Sequence, residues 1–255
     1  MEVLVIGDWI LDQYIFGNCE RVCPEAPVPV IIPVREEDSE GGAGLVCNQL
    51  HALVEGVCGY RGTRSTKKRI FVDNHLICRL DYDAPKDNIR AVEYGRDVVD
   101  ILKKSKPRVL VISDYGKHTF TESSAKRIMQ AADILDIPVF VDAKHNWTWY
   151  ESAYCKFPNQ RETGNVGTAS YIIYKRGAEG CIVAPNKKAK IVVPLDKVYE
   201  TRDSTGAGDC YLAAFVAHWI NKTKDMVECA KFANKVAAIS VTHTGTYVVS
   251  PEEIS

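Results

Sequence analysis

Short, uninterrupted apolar runs recur along this chain, and segments with helical spacing separate them. The runs lie at 3–6, 109–112, 139–141, 171–174, 181–184 and 191–193. A run that is apolar at every position, not at every second one, predicts a strand buried on both faces. Segments 43–54, 89–104, 122–135, 209–220 and 225–241 carry apolar side chains three and four apart and predict helices. Strands alternating with helices predict a parallel sheet covered on both sides, an α/β three-layer sandwich. Two stretches stand outside this alternation. One is 28–34, bounded by prolines; the other is the pair 69–72 and 76–80 around Asp73-Asn74, a hairpin signal. They predict a small β lid, over about 12–40 and 66–82, on a single domain spanning 1–255.

Charge and composition narrow the function. Thirty-two basic residues stand against thirty-three acidic ones, for a net charge of −1. That balance gives no electrostatic footprint for nucleic acid or an acidic membrane. No run approaches the roughly 20 apolar residues of a membrane span. The opening MEVLVIGDW has no basic n-region and reads as a first strand, not a leader. Nine cysteines are scattered without a CxxC pair or a zinc-like His spacing, so they read as free thiols in a reducing cytoplasm. Two glycosylation sequons, at Asn146 and Asn221, read as chance.

The sharpest local signal is Asp203-Ser204-Thr205-Gly206-Ala207-Gly208-Asp209, directly ahead of the helical pattern CYLAAFVAHWI. Glycines here let the backbone turn tightly and approach a ligand. Free N–H groups of Gly206, Ala207 and Gly208 at a helix start form an anion site. An aspartate beside such a site repels an anion, so pure binding does not explain Asp209. A base that takes a proton from a hydroxyl attacking a phosphate does. The plainer alternative is an Asp-rich turn with an N-cap. Neither a GxxxxGK[ST] loop nor a GxGxxG after the first strand occurs, which disfavours P-loop and dinucleotide-binding Rossmann proteins.

With these motifs in order, the chain resembles the carbohydrate kinases of the ribokinase (PfkB) family. The D-x-T-G-A-G-D signature stands at 203–209, and the N-terminal glycine signature at Gly41-Gly42-Ala43 with Asn48. The segments GDWILDQYIFG, CPEAPVPVI, SDYGK, VDAK, PNQRE and KRGAEG resemble the heptose-phosphate kinase subgroup, the kinase half of bifunctional heptose kinase/adenylyltransferases. The resemblance implies a ribokinase-like fold with a mostly parallel sheet, and an ATP- and Mg²⁺-dependent transfer to a sugar hydroxyl. It implies Asp209 as the base and Gly206, Ala207 and Gly208 as the anion hole. On the nucleotide side it implies Lys144, Lys175 with Gly177 and Gly180, Thr205 and Asn234. It implies Asn159 and Glu162 of the N-x-x-E element as holders of Mg²⁺ through water. On the sugar side it implies Asp8, Asp12, Gly41, Gly42, Asn48, Asp114 and Lys117, with Arg69 and Arg79 on the lid as partners of a sugar phosphate.

The chain also departs from the family. Only about a dozen residues stand between Val54 and Lys67, where a strand–helix unit is usual, and a short link joins Glu162 to Tyr171. The adenylyltransferase half has no counterpart, so a trimmed single-activity kinase is expected. The expected substrate is D-glycero-D-manno-heptose 7-phosphate, phosphorylated at its anomeric hydroxyl. The alternatives are another hexose or pentose (phosphate) kinase, or a non-catalytic sugar-phosphate or nucleotide binder. Pairing of lids predicts a homodimer.

Overall fold

The structure is a computed structural model that describes residues 1–73, 75–162 and 164–254. Its strands are β1 (Val3–Val22), β2 (Pro29–Gly42), β3 (Val57–Val72), β4 (His75–Tyr82), β5 (Val109–Asp114), β6 (Val139–Ala143), β7 (Ala153–Lys156), β8 (Ala169–Lys175), β9 (Cys181–Pro185) and β10 (Ile191–Val193). They form one sheet in the order β10-β9-β8-β7-β6-β5-β1-β3-β4, with β2 also on β1. Pairing is parallel from β3 through β1, β5, β6 and β7 to β8. It turns antiparallel at β9 and β10.

Alternation along the central strands builds two cores. Val3, Val5, Val109, Val111 and Phe140 face α1 (Ala43–Leu53), α4 (Ala207–Asn221) and α5 (Met226–Ser240). Leu4, Ile6, Leu110, Ile112, Val139 and Val141 face α2 (Asn88–Ser105) and α3 (Glu122–Ile134). Both faces of each strand are therefore apolar, which is why these strands read as continuous runs. This is the expected three-layer sandwich with a mostly parallel sheet. A last short helix, α6 (Pro251–Ile254), closes the chain.

The lid differs from its sequence reading in extent. β1 does not stop at Ile6; it runs 20 residues and carries its outer half into the lid. β3 likewise begins in the core beside Val3 and ends in the lid beside Gly17. The chain between Val54 and Lys67 is thus one strand, with no strand–helix unit. β2 and β4 pair with these outgrowths and complete a four-stranded lid. Asn74, the second residue of the expected hairpin turn, lies outside the described residues; Asp73 before it takes a positive φ of 48°.

The link after Glu162 contains no helix in residues 164–168, and β7, which the sequence pattern did not reveal, pairs in parallel with β8. Lys156 of β7 is fully buried and donates to the carbonyls of Trp147 (3.0 Å) and Val166 (2.8 Å). Burial pushes its ammonium down to about 8. Among the described residues no helix is long and apolar enough to cross a membrane.

Candidate active site

The site forms at the C-terminal ends of the parallel strands, where open α/β sheets bind ligands. Helix α4 begins at Gly206, whose φ of 79° is left-handed and whose side of the helix start carries no capping side chain. A Cβ at Gly206 would lie 2.4 Å from Leu45 Cδ2, so only glycine closes this turn against α1. Ala207 N donates to the carbonyl of Ser204 (3.3 Å), and no side chain caps the N–H groups that follow at the cleft. Asp203 sets the loop: its carboxylate accepts from Thr205 N (2.9 Å), Thr205 Oγ1 (2.7 Å) and Gly245 N (2.9 Å). Those bonds hold it below the usual carboxylate range, against the effect of its burial. Thr205 is thereby spent on the loop, and the adjacent Ser204 lines the cleft instead.

Asp209 sits in the first turn of α4 and is 2% exposed. Burial pushes its carboxyl up to about 7. Asp142 acts in the same direction, while Lys144, Lys175 and a hydrogen bond from Tyr115 oppose it. A carboxyl near 7 is a base matched to neutral pH. Lys175 ion-pairs with Asp142 beside the start of α4, and Lys144 Nζ lies 3.3 Å from Glu162 and 3.9 Å from Asp142. Glu162 accepts from the backbone N (3.0 Å) and Nδ2 (2.6 Å) of Asn159. Asp142 Oδ1 is buried and, among the described residues, accepts no hydrogen bond, with Lys144 Nζ 3.9 Å away; it is an oxygen available to a cation or a donor from a ligand.

These groups open on a cleft of about 430 Å³ that brings together Lys144, Asn159, Lys175, Gly177, Gly180, Asn234 and the 206–208 turn. Leu195, Val198, Ala237, Ala238 and Val241 give its far end an apolar wall. Asn234 is buried there and donates to the carbonyls of Val193 (3.1 Å) and Pro194 (3.4 Å). It therefore fixes the wall and presents little of itself to a ligand.

The lid side holds Asp12, whose Oδ1 accepts from Arg69 Nη1 at 2.5 Å; both side chains are buried. A Cβ on Gly41 would come within 2.2 Å of Asp12 Oδ2, so the glycine leaves room for that carboxylate. Gly42 follows it as the uncapped start of α1.

The structure places five sugar-side candidates as follows. Asp8 is fully buried, and its carboxylate accepts from the backbone N–H groups of Tyr115 (2.7 Å), Lys117 (3.0 Å) and Thr119 (3.2 Å). It builds the 115–119 loop and has no surface to offer a sugar. Asp114 is buried as well, accepting from Tyr150 Oη (2.6 Å) and Gly116 N (2.8 Å), with burial pushing it up to about 6. Asn48 is exposed on α1, and none of the hydrogen bonds described involves its side chain, whereas Leu45 of the same helix meets the 206 turn. Arg79 is exposed and bound twice to Asp81 of its own strand, at 2.8 and 2.9 Å. Lys117, half-buried, pairs with Asp83 at 2.6 Å.

Sequence reasoning missed Tyr115, Asp142 and Lys67. Tyr115 donates its hydroxyl to Asp209, and Lys67 Nζ lies 5.5 Å from the centre of the Tyr115 ring. Lys67 has no ion pair among the described residues, and burial lowers its pKa. Tyr115 lies within SDYGK and Asp142 within VDAK, two segments whose charged residues drew attention first.

Residues 92–253 match the family described as pfkB family carbohydrate kinase. The chain belongs to that family. Its enzyme class is thus a phosphotransferase acting on a sugar hydroxyl. The bifunctional protein HldE of Campylobacter curvus is 31% identical over 307 positions, covering 100% of this chain and 64% of that protein. The chain spans less than two thirds of such relatives. The matched stretch also exceeds the 255 residues of this chain, in keeping with its two shortened links. Phosphofructokinase-2 of Escherichia coli shares the fold, with a TM-score of 0.76 at 15% identity over 100% of this chain and 96% of that one. Ribokinase of Arabidopsis thaliana, solved with ribose and ATP, gives 0.70 at 13% identity over 99% and 97%.

Proposed function

We propose that this pfkB-family kinase transfers the γ-phosphate of ATP to the anomeric hydroxyl of a sugar phosphate, D-glycero-D-manno-heptose 7-phosphate. The observation that carries the transfer is a buried carboxylate, Asp209, on the first turn of a helix whose N–H groups are left open by glycine. The acceptor oxygen forms a bond to the γ-phosphorus as the bond to the departing ADP oxygen breaks, and Asp209 takes the hydroxyl proton. The start of α4 and Lys175 face the charge on the moving group. The cleft walled by Leu195, Val198 and Ala237 suits the adenine, and ATP in the Arabidopsis ribokinase supports a nucleoside triphosphate as donor.

Mg²⁺ fits the donor set. Asn159, Glu162 and Asp142 Oδ1, which accepts no hydrogen bond among the described residues, are hard oxygen groups on the phosphate side, and Mg²⁺ is commonly held by one or two carboxylates, water and substrate phosphates. Asn159 and Glu162 would hold it through water, and it would neutralise phosphate charge. Among the described residues no cluster of three His, Cys, Asp or Glu could hold a metal ion.

The sugar reading rests on the heptose-kinase-like segments and on the bifunctional HldE relative. A phosphorylated sugar needs a second anion site. Lys67, half-buried and without a carboxylate partner among the described residues, suits it better than Arg69, Arg79 or Lys117, which are already paired. Asp12 is the hydroxyl partner. The competing reading, a binder without catalysis, gives no role to a carboxylate titrating near 7 at an anion site.

The test is ADP release by purified protein and MgATP with heptose 7-phosphate, fructose 6-phosphate, ribose and adenosine. Heptose 7-phosphate is expected to have the highest kcat/KM, and Lys67→Ala to raise its KM more than it lowers kcat. Preference for an unphosphorylated sugar would overturn the substrate; ADP release with none would overturn the kinase.

Two lines complete the reading. The lid exposes Val28, Ile32, Val34, Leu76, Ile77 and Leu80, which favours a homodimer of sheet-and-lid units through the lids; a monomer by light scattering would refute it. Nine free cysteines suit the cytoplasm.

A further inference from the structure

The ring of Tyr115 stands between the two halves of the site. Its hydroxyl donates to both oxygens of Asp209, at 2.8 and 3.0 Å. Lys144 Nζ of the nucleotide side lies 4.9 Å from the ring centre, and Lys67 Nζ of the lid side lies 5.5 Å from it. The backbone under the ring is clamped: Asp8 accepts from the N–H groups of residues 115, 117 and 119, and Asp114 from that of Gly116. Tyr150 then ties Asp114 to the floor. Two buried carboxylates and five hydrogen bonds thus serve to place one phenol against one carboxylate.

We propose that Tyr115 is a positioning residue for Asp209, fixing the carboxylate's orientation and keeping it ionised while one oxygen receives the acceptor proton. This deepens the kinase reading and rests on it. A phenol O–H donates readily to a carboxylate and is itself a poor acid. Here burial, with Asp209 and Asp142 nearby, holds Tyr115 well above its ordinary value, so it stays a donor at every working pH. The phenol is shared by the two carboxylate oxygens and uses one lone pair of each, so further lone pairs are left for the sugar hydroxyl. Asp8 and Asp114, expected from the sequence as sugar contacts, then act through Tyr115.

Charged and titratable groups face Asp209 from each packed element. Asp142 and Lys144 come from β6 and its end, Lys175 from β8, and Tyr115 from the loop after β5. Asp12 and Lys67 of the lid reach only as far as Tyr115. Among these, Tyr115 is the hydrogen-bond donor that can be removed with almost no change of shape.

The experiment is Tyr115→Phe, with Asp209→Asn alongside. In the isosteric Phe variant, kcat at neutral pH should fall by about tenfold or more, the scale of one hydrogen bond to a charge. The acid limb of the kcat/KM profile should move up by about one pH unit. The KM for the sugar should stay within about threefold of wild type. A profile that does not move, with kcat within twofold, overturns the proposal. So does a loss confined to KM, which would make the ring a wall of the sugar pocket. A second readout is independent of turnover: the carbon-13 titration of the Asp209 carboxyl, assigned by its loss in Asp209→Asn. Its midpoint should rise in Tyr115→Phe even if no sugar is phosphorylated, and an unchanged midpoint refutes the positioning role. Absence of any turnover in wild type would instead defeat the kinase reading.

Discussion

The five long helices begin in two different ways. Away from the cleft, α2, α3 and α5 are closed by side chains. Asp87 accepts from Ile89 N and Arg90 N, Thr121 forms a capping box with Ser124, and Asp225 accepts from Val227 N and Glu228 N. At the cleft, α1 and α4 begin on Gly42 and Gly206 with no side-chain cap. A capped start satisfies its orphan N–H groups within the chain and stabilises the helix by about 1 kcal/mol. An uncapped one leaves them for a ligand, and the stabilisation arrives with the ligand. The distinction separates helices that hold the fold from helices that face the chemistry.

The strongest way to break the comparison is at Asp209. Asp209→Asn should lower kcat by about 10²- to 10⁴-fold while nucleotide affinity stays within a few-fold, measured by ADP release and by nucleotide titration. Wild-type kcat/KM should climb as pH rises through about 7, because the base must be ionised. The stability consequence has the opposite sense. The folded carboxyl, near 7, binds its proton more tightly than in the unfolded chain, so wild-type stability declines as pH rises from about 4 to about 7. The Asn variant lacks that decline, and at pH 8 it should melt above wild type.

Gly206→Ala comes next. A methyl there meets Leu45 and sits at a φ of 79°, so the turn must shift and the N–H groups lose their aim. Activity should fall by about 10²-fold, the usual cost of one misplaced oxyanion donor, with a stability loss of about 1–3 kcal/mol in chemical denaturation. The smallest effect sharpens the contrast from the other side. Thr121→Ala should cost about 1 kcal/mol of stability and leave kcat and both KM values at wild type. A change in turnover there would erase the division between the two kinds of helix start.

Legibility in the sequence followed locality. The 203–209 turn and the helix after it are contiguous, so their chemistry could be read in one line. The core strands could be read because burial on both faces leaves apolar residues at every position. The lid was legible only in part: 28–34 and 69–72 read as strands, whereas the outer half of β1 and the rest of β2 did not, since solvent reaches much of their surface and Arg35-Glu36-Glu37-Asp38 carries charge on an edge strand. β7 is four residues long with a buried lysine, too short to show a period. Asp8 and Asp114 were assigned to the sugar because an aspartate after a parallel strand is usually a ligand group. Only the tertiary fold shows that their oxygens are taken by the loop above them. Tyr115 and Lys67 meet across about fifty residues of chain, a distance no spacing rule spans.

The lid has no stalk. Two of its four strands are the outer halves of β1 and β3, adjacent parallel strands whose inner halves form one edge of the core sheet. Mechanically it is a cantilever growing out of the wall it overhangs. Any tilt over the cleft is a bending of the sheet, strongest near the register shift between Gly7 and Trp9 at its root, where the ladder is already broken. Side chains along such a beam keep their faces only while the count of residues from the root is kept. Deleting one residue between 9 and 11 would turn Asp12 from the cleft to the outer surface, and an inserted pair would restore its face but carry it about 7 Å farther out.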